Sequence, residues 1–251
     1  MDGSVESRVE GGVAAIEFGH PKSNSLPGAV LRKLGDEIAA AGKRSDVNVI
    51  ALRSSGTGPF CAGASFDELI AIKDATMGKT FFLGFAHVII SMMRCPKPIL
   101  TRVHGKVVGG GVGVVAASDY AIATNNAAIR LSELAVGIGP FVVGPVIERR
   151  IGSGKFSAMA LDADWRSAEW ARDAGLYAQL HASVTELDGA FDAFVAKMNA
   201  SNPDATAGIK QRVWEGTDNW DKLLDARAEM SGKLVLSPFT RKAIEAFKAK
   251  G

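Results

Sequence analysis

The first 50 residues alternate between short apolar segments and turn chemistry. Residues 9–16 hold two such segments on either side of Gly11-Gly12, the pattern of a β-hairpin. His20 to Pro27 is rich in turn formers and predicts a loop. Leu31, Leu34 and Ile38 then fall three and four positions apart, one face of a helix. Val47–Leu52 predicts a buried strand, Met77–Met93 a helix closed by Cys95-Pro96, and Ile99–Val103 another strand. Gly105–Gly113 is glycine-rich and runs into a helix at Val114–Ala117. Tyr120–Ala123 and Ala128–Leu131 are strand-like. From Val143 onward the apolar spacing is helical throughout: 143–151, 155–161, 167–174, 187–199, 203–215, 219–236 and 238–250. Ser167 with Trp170 beyond it predicts a capped helix start. Strands alternating with helices, followed by helices alone, predict an α/β core with a C-terminal helical subdomain.

Composition narrows the picture. The chain has 251 residues, 47% hydrophobic and 22% charged, the proportions of a globular protein rather than a disordered one. Lys+Arg is 29 against 27 Asp+Glu, and no basic block stands out, so no nucleic-acid partner is expected. Two cysteines, Cys61 and Cys95, are too few for a disulfide framework or a paired-thiol zinc site and predict free buried thiols. The four histidines show no metal spacing, so no metal is expected. The N-terminus lacks the basic and apolar regions of a signal peptide. The longest run of apolar residues and glycines, Val107–Ala117, is short of the roughly 18 that a membrane helix requires. These features predict a cytoplasmic protein with no membrane association.

Glycine, at 28 residues, exceeds its usual share of roughly 7%. Part of the surplus lies in Gly109-Gly110-Gly111-Val112-Gly113. If a helix starts there, unshielded N–H groups and the helix dipole converge on one point, a site for a phosphate or for an oxyanion formed during reaction. Gly111-x-Gly113-x-x-Ala116 also fits a loose dinucleotide fingerprint, with Glu133 at a compatible distance, which keeps an NAD(P)-binding oxidoreductase open. Tight helix–strand packing would use the same residues. Phe60-Cys61-Ala62-Gly63-Ala64-Ser65-Phe66 is a second small-residue turn that exposes main-chain N–H groups, leading into a helix. In Arg130-Leu131-Ser132-Glu133-Leu134 a glutamate sits among apolar neighbours, which would raise its pKa and make it a usable base near neutrality.

In order and spacing these segments resemble the crotonase superfamily, the enoyl-CoA hydratase/isomerase family, over nearly the whole chain. The resemblance is carried by Pro21-Lys22-Ser23-Asn24-Ser25-Leu26, Cys61-Ala62-Gly63-Ala64, Val103-His104-Gly105 with Gly109-Gly110-Gly111, Ser118-Asp119-Tyr120, Ser132-Glu133-Leu134, and Ser167-Ala168-Glu169 with Gly175-Leu176. It implies a crotonase-like ββα spiral core over residues 1–195 and a C-terminal helical trimerisation subdomain over 196–251. It further implies an acyl-CoA substrate whose thioester oxygen is held by the N–H groups of Ala64 and Gly110, with Glu133 moving the proton. Lys22, Ala62, Ser65 and Phe66 would contact the CoA moiety. Phe247 and Lys250 would add to that contact from a neighbouring subunit of a homotrimer or homohexamer. No cofactor beyond the CoA of the substrate is implied.

One departure bears on the reaction. Hydratases of this family carry two glutamates, and the position of the first is Gly113 here. A single carboxylate suits the shuttling of a proton between the α and γ carbons, so 3-enoyl to 2-enoyl-CoA isomerisation is expected. The additional acid of the dienoyl-CoA isomerases is replaced by Phe141, which with Val142 and Val143 would make the acyl pocket apolar. A hydratase that holds its water by other groups, and a non-catalytic CoA-binding protein, stay open beside it.

Overall fold

The structure, a computed structural model, describes residues 3–248, the last two by their main chain alone. Its first strands are β1 (Ser4–Glu10) and β2 (Val13–Gly19), an antiparallel hairpin around Gly11-Gly12. Helix α1 (Gly28–Lys43) follows and buries Leu31, Leu34 and Ile38 on the face the spacing predicts. Strand β3 (Val49–Ser54) pairs parallel with β2, β4 (Ile99–Val103) with β3, β6 (Tyr120–Thr124) with β4, and β8 (Gln179–His181) with β6. The sheet order is therefore β1-β2-β3-β4-β6-β8. A parallel sheet needs cover on both faces, and alternate residues show it. Ile50, Leu52, Ile99 and Val103 point into the main core. Val49, Ala51, Leu100 and Ile122 point the other way, onto Leu187, Phe191 and Val195 of α8 (Val184–Asn199).

A second sheet of two strands, β5 (Val107–Val108) and β7 (Ile129–Arg130), stands apart from the first. Helix α4 (Gly110–Ala117) leaves β5 and has no polar face: all eight residues are buried. The sequence placed its start at Val114, but three of its glycines lie inside the helix, held there by burial that outweighs glycine's poor helix propensity. Strand β8 was not foreseen either. Three residues are too few for a period to register, and the sheet edge supplies the pairing.

Helices α2 (Phe66–Ala71) and α3 (Ala75–Arg94) lie between β3 and β4. By length and composition α3 is apolar enough to cross a bilayer, yet Phe85, Val88, Ile89 and Met92 are buried in the main core. Helices α5 (Gly144–Ile151), α6 (Ser153–Asp162) and α7 (Ala168–Asp173) follow β7. Ser167 caps α7 as its sequence suggests, its Oγ accepting from the Trp170 N–H at 3.2 Å. The chain ends in α9 (Pro203–Val213), α10 (Trp220–Leu234) and α11 (Pro238–Lys248). Trp214, just past α9, and Leu224 and Ala228 of α10 belong to the same buried cluster as the sheet. Lys210 of α9 is also buried, with its Nζ 2.7 Å from Asp119 and 3.0 Å from the Lys97 carbonyl. Cys61 and Cys95 are free and buried, and burial pushes the Cys61 thiol up to about 12.

Candidate active site

The segment 61–64 runs between two neighbours. Cys61 bridges Val107 on one side, and Ala64 bridges Leu26 on the other. The Leu26 N–H donates to Gly63 O at 2.8 Å and the Ser65 N–H to Leu26 O at 2.9 Å. Parallel pairing uses the groups that flank Ala64 and turns the N–H of Ala64 itself to the opposite side. That side holds the start of α4: a Cβ built on Gly63 would be 3.9 Å from the Gly110 nitrogen. Gly109 makes the corner with φ +54°, a left-handed value that favours glycine. Its own N–H donates to Arg130 O at 2.8 Å, which ties the corner to β7. The first N–H groups of a helix have no acceptor within it. Among the described residues, no main-chain acceptor takes the N–H of Ala64 or of Gly110. Two such donors thus sit in the wall of one cavity, Gly110 at the positive end of a helix dipole.

Glu133 faces this wall. It follows β7 and opens a short turn at Leu134–Val136, which ends at left-handed Gly137. Helix α11 fixes the turn, with the Thr240 hydroxyl donating to Gly137 O at 3.0 Å. A Cβ on Gly109 would be 3.2 Å from Glu133 Oε1, so the carboxylate lies directly against the glycine corner. The residue as a whole is half-buried, but Oε2 is shut off from solvent and has no hydrogen-bond partner among the described residues. Burial raises the pKa of Glu133 from 4.5 to about 7; main-chain hydrogen bonds at Glu133 and Ser132 pull the other way and are outweighed.

The cavity has a volume of about 570 Å³, within the range of small-molecule sites. Phe81, Phe82 and Phe85 of α3 line it, as do Phe141, Val142 and Trp165. Among the described lining residues only two are charged, Glu133 and Arg130. A carboxyl group held half-protonated near neutrality beside two unspent N–H donors can take a proton from a carbon next to a carbonyl, while the donors hold the oxyanion that results.

Of the residues singled out in the sequence, Ala62, Ala64, Phe66, Gly110, Glu133, Phe141 and Val142 all line the cavity. Three do not. Gly113 is covered by Val143, whose Cγ1 would be 2.7 Å from a Cβ there. Ser65 is buried and spends its hydroxyl on the start of α2, accepting from the Glu68 N–H at 3.3 Å. Lys22 is exposed and forms an ion pair with Asp67. Lys250 lies outside the described residues, as does the side chain of Phe247. The dinucleotide alternative meets a packing obstacle: Gly111 and Gly113 sit inside α4 against Cys61 and Val143, with no room for a ligand. Among the described residues, no group of three or more His, Cys, Asp or Glu could hold a metal ion. The sequence reading missed Trp165, the α3 phenylalanines and Ser231. The spacing of Phe81, Phe82 and Phe85 along one helix was a signal. Ser231, whose buried Oγ has no partner among the described residues, offered none.

Comparison with known proteins places the fold and the family. The enoyl-CoA hydratase/isomerase family matches residues 8–251. The (7aS)-7a-methyl-1,5-dioxo-2,3,5,6,7,7a-hexahydro-1H-indene-carboxyl-CoA hydrolase of Mycobacterium tuberculosis is 34% identical over 134 residues, 51% of this chain and 51% of that protein. The match thus spans about half the length of that relative. The bacillaene synthase dehydratase PksH of Bacillus subtilis is 28% identical over 213 residues, 83% of this chain and 79% of that protein. Among solved structures, an enoyl-CoA hydratase of Bacillus halodurans superimposes with a TM-score of 0.89 at 20% identity, covering 96% of this chain and 99% of that one. That of Mycobacterium smegmatis superimposes with a TM-score of 0.79 at 27% identity, covering 98% and 96%. The fold is thus the crotonase fold, and with the family match running from residue 8 to the last residue the chain belongs to the enoyl-CoA hydratase/isomerase family.

Proposed function

We propose that the protein isomerises a 3-enoyl-CoA to the 2-enoyl-CoA through an enolate. The observation that carries this reading is that, among the described lining residues, Glu133 is the sole carboxylate, desolvated, and set against the corner that leads to the Gly110 N–H. The thioester oxygen accepts from the N–H groups of Ala64 and Gly110. Glu133 removes a proton from C2, the charge spreads over the dienolate, and the same carboxyl returns the proton at C4. Donors aimed at a developing oxyanion in a dry site are usually the largest single contribution to such a step. Phe141 and Val142 hold the chain by apolar contact. Hydration would require a second group to hold and deprotonate water, and position 113 offers no side chain for it. The reaction needs no cofactor beyond the CoA of its substrate. In the same reading the active form is a homotrimer or homohexamer, with Phe247 and Lys250 of one subunit reaching the CoA on the next; a stable monomer by light scattering at micromolar concentration would contradict this.

The test follows the 2-enoyl thioester absorbance in two directions. Its formation from 3-enoyl-CoA should be faster than its loss from 2-enoyl-CoA in water. Hydration without isomerisation would replace the isomerase reading with a hydratase whose water is held by another group. Absence of both, together with no exchange of α-protons in deuterated water, would leave only CoA binding.

A further inference from the structure

The second charge in the cavity is not used by the proton shuttle. Arg130 leaves β7 and lines the cavity, with its Nε donating to the Ala163 carbonyl at 2.5 Å. Among the described residues it has no acidic partner, whereas Arg53, Arg102 and Arg166 each pair with an aspartate. Nor does it pair with Glu133, whose raised pKa traces to burial and main-chain hydrogen bonds with no arginine among the causes. Arg130 lines a cavity walled mainly by apolar side chains, and a guanidinium there is a fork for a planar anion, since two parallel N–H bonds match a carboxylate.

We infer that Arg130 selects acyl groups that carry a carboxylate a few carbons from the thioester. The inference rests on the acyl-CoA reading above and specifies its substrate class. Position separates this carboxylate from the phosphates of CoA. The Arg130 main chain is hydrogen-bonded to Gly109, the neighbour of Gly110, so its side chain starts beside the thioester site. The first phosphate of CoA lies about a dozen bonds from the thioester sulfur, on the order of 15 Å when extended. A carboxylate at the end of a four- or five-carbon acyl group lies much nearer. Trp165, which also lines the cavity, has Lys106 Nζ 5.1 Å from the centre of its ring, which adds a second positive charge behind the lining.

The test is calorimetric titration of the full chain with two unreactive thioesters of equal chain length, glutaryl-CoA and valeryl-CoA. The wild-type protein should bind glutaryl-CoA at least about tenfold more tightly, the scale of a hydrogen bond to a charged group. Arg130→Gln should abolish this preference and leave the affinity for valeryl-CoA unchanged, and Arg130→Lys should keep part of it. Circular dichroism checks that both variants fold, and the wild-type comparison stands without them. Equal wild-type affinity for the two ligands would overturn the inference and leave the acyl-CoA reading intact. So would an Arg130→Gln variant that weakens both equally, which would assign the guanidinium to CoA or to the fold. Failure of the wild-type protein to bind either thioester would overturn both readings.

Discussion

Glu133→Gln tests the central claim that the cavity holds a desolvated carboxylate. The pKa of Glu133 rises from 4.5 to about 7 on folding. At about 1.4 kcal/mol per tenfold change in an equilibrium constant, that gap corresponds to about 3 kcal/mol. The sign is a penalty on the ionised form. Below pH 4.5 the carboxyl is protonated in the folded and unfolded chain alike, and the penalty is absent. It grows as pH rises from there and is complete above about pH 7. Glutamine cannot ionise and escapes it. Its amide carries an offset of its own, but that offset does not change with pH. Urea unfolding of both proteins at pH 4.5 and pH 8 should therefore show the variant gaining about 3 kcal/mol on the wild type between the two conditions. In a chain of this length that is about 6–12 °C of melting temperature. Turnover should fall at least about a hundredfold. In the wild type, kcat/KM should rise with pH through about 7 as the base ionises. Stability curves that run parallel across this range would refute the burial argument, whatever happened to activity.

Three further outcomes follow from close contacts. Gly110→Ala would put a Cβ 2.3 Å from the Phe85 ring; denaturant titration should show a loss of about 1–3 kcal/mol from overpacking, and calorimetry should show weaker acyl-CoA binding even where the fold survives. Gly113→Glu should cost a similar amount and add no hydration of 2-enoyl-CoA, because Val143 stands between that position and the cavity; measurable hydration by this variant would show that Val143 yields. Lys210→Met leaves the Asp119 carboxylate without its buried partner and should destabilise by about 3–5 kcal/mol in urea titration; an unchanged midpoint would show that Asp119 is held well enough by the Ile99 N–H at 2.7 Å.

Much of the fold was written in local pattern. The hairpin at Gly11-Gly12, the buried face of α1 and the Ser167 cap are each decided within a few residues, by periodicity or by one side-chain hydrogen bond, and the chain alone was enough to place them. The small-residue turns and the lone glutamate were legible for the same reason, since a site made of main-chain N–H groups requires the absence of side chains, and absence is visible in a sequence. What the sequence could not supply was distance between segments far apart along the chain. That Ser65 spends its hydroxyl on a helix cap, that Val143 covers Gly113, and that α4 begins at Gly110 all depend on which surfaces pack together. The pKa of Glu133 is a property of that packing too: its neighbours in sequence suggested burial, but only the closure of α3, the 139–143 segment and α11 around it removes the water. Arg130 could be read from the chain as a charge. That it faces a cavity without an acidic partner among the described residues was decided by tertiary structure alone, because pairing is settled by what lies opposite in space.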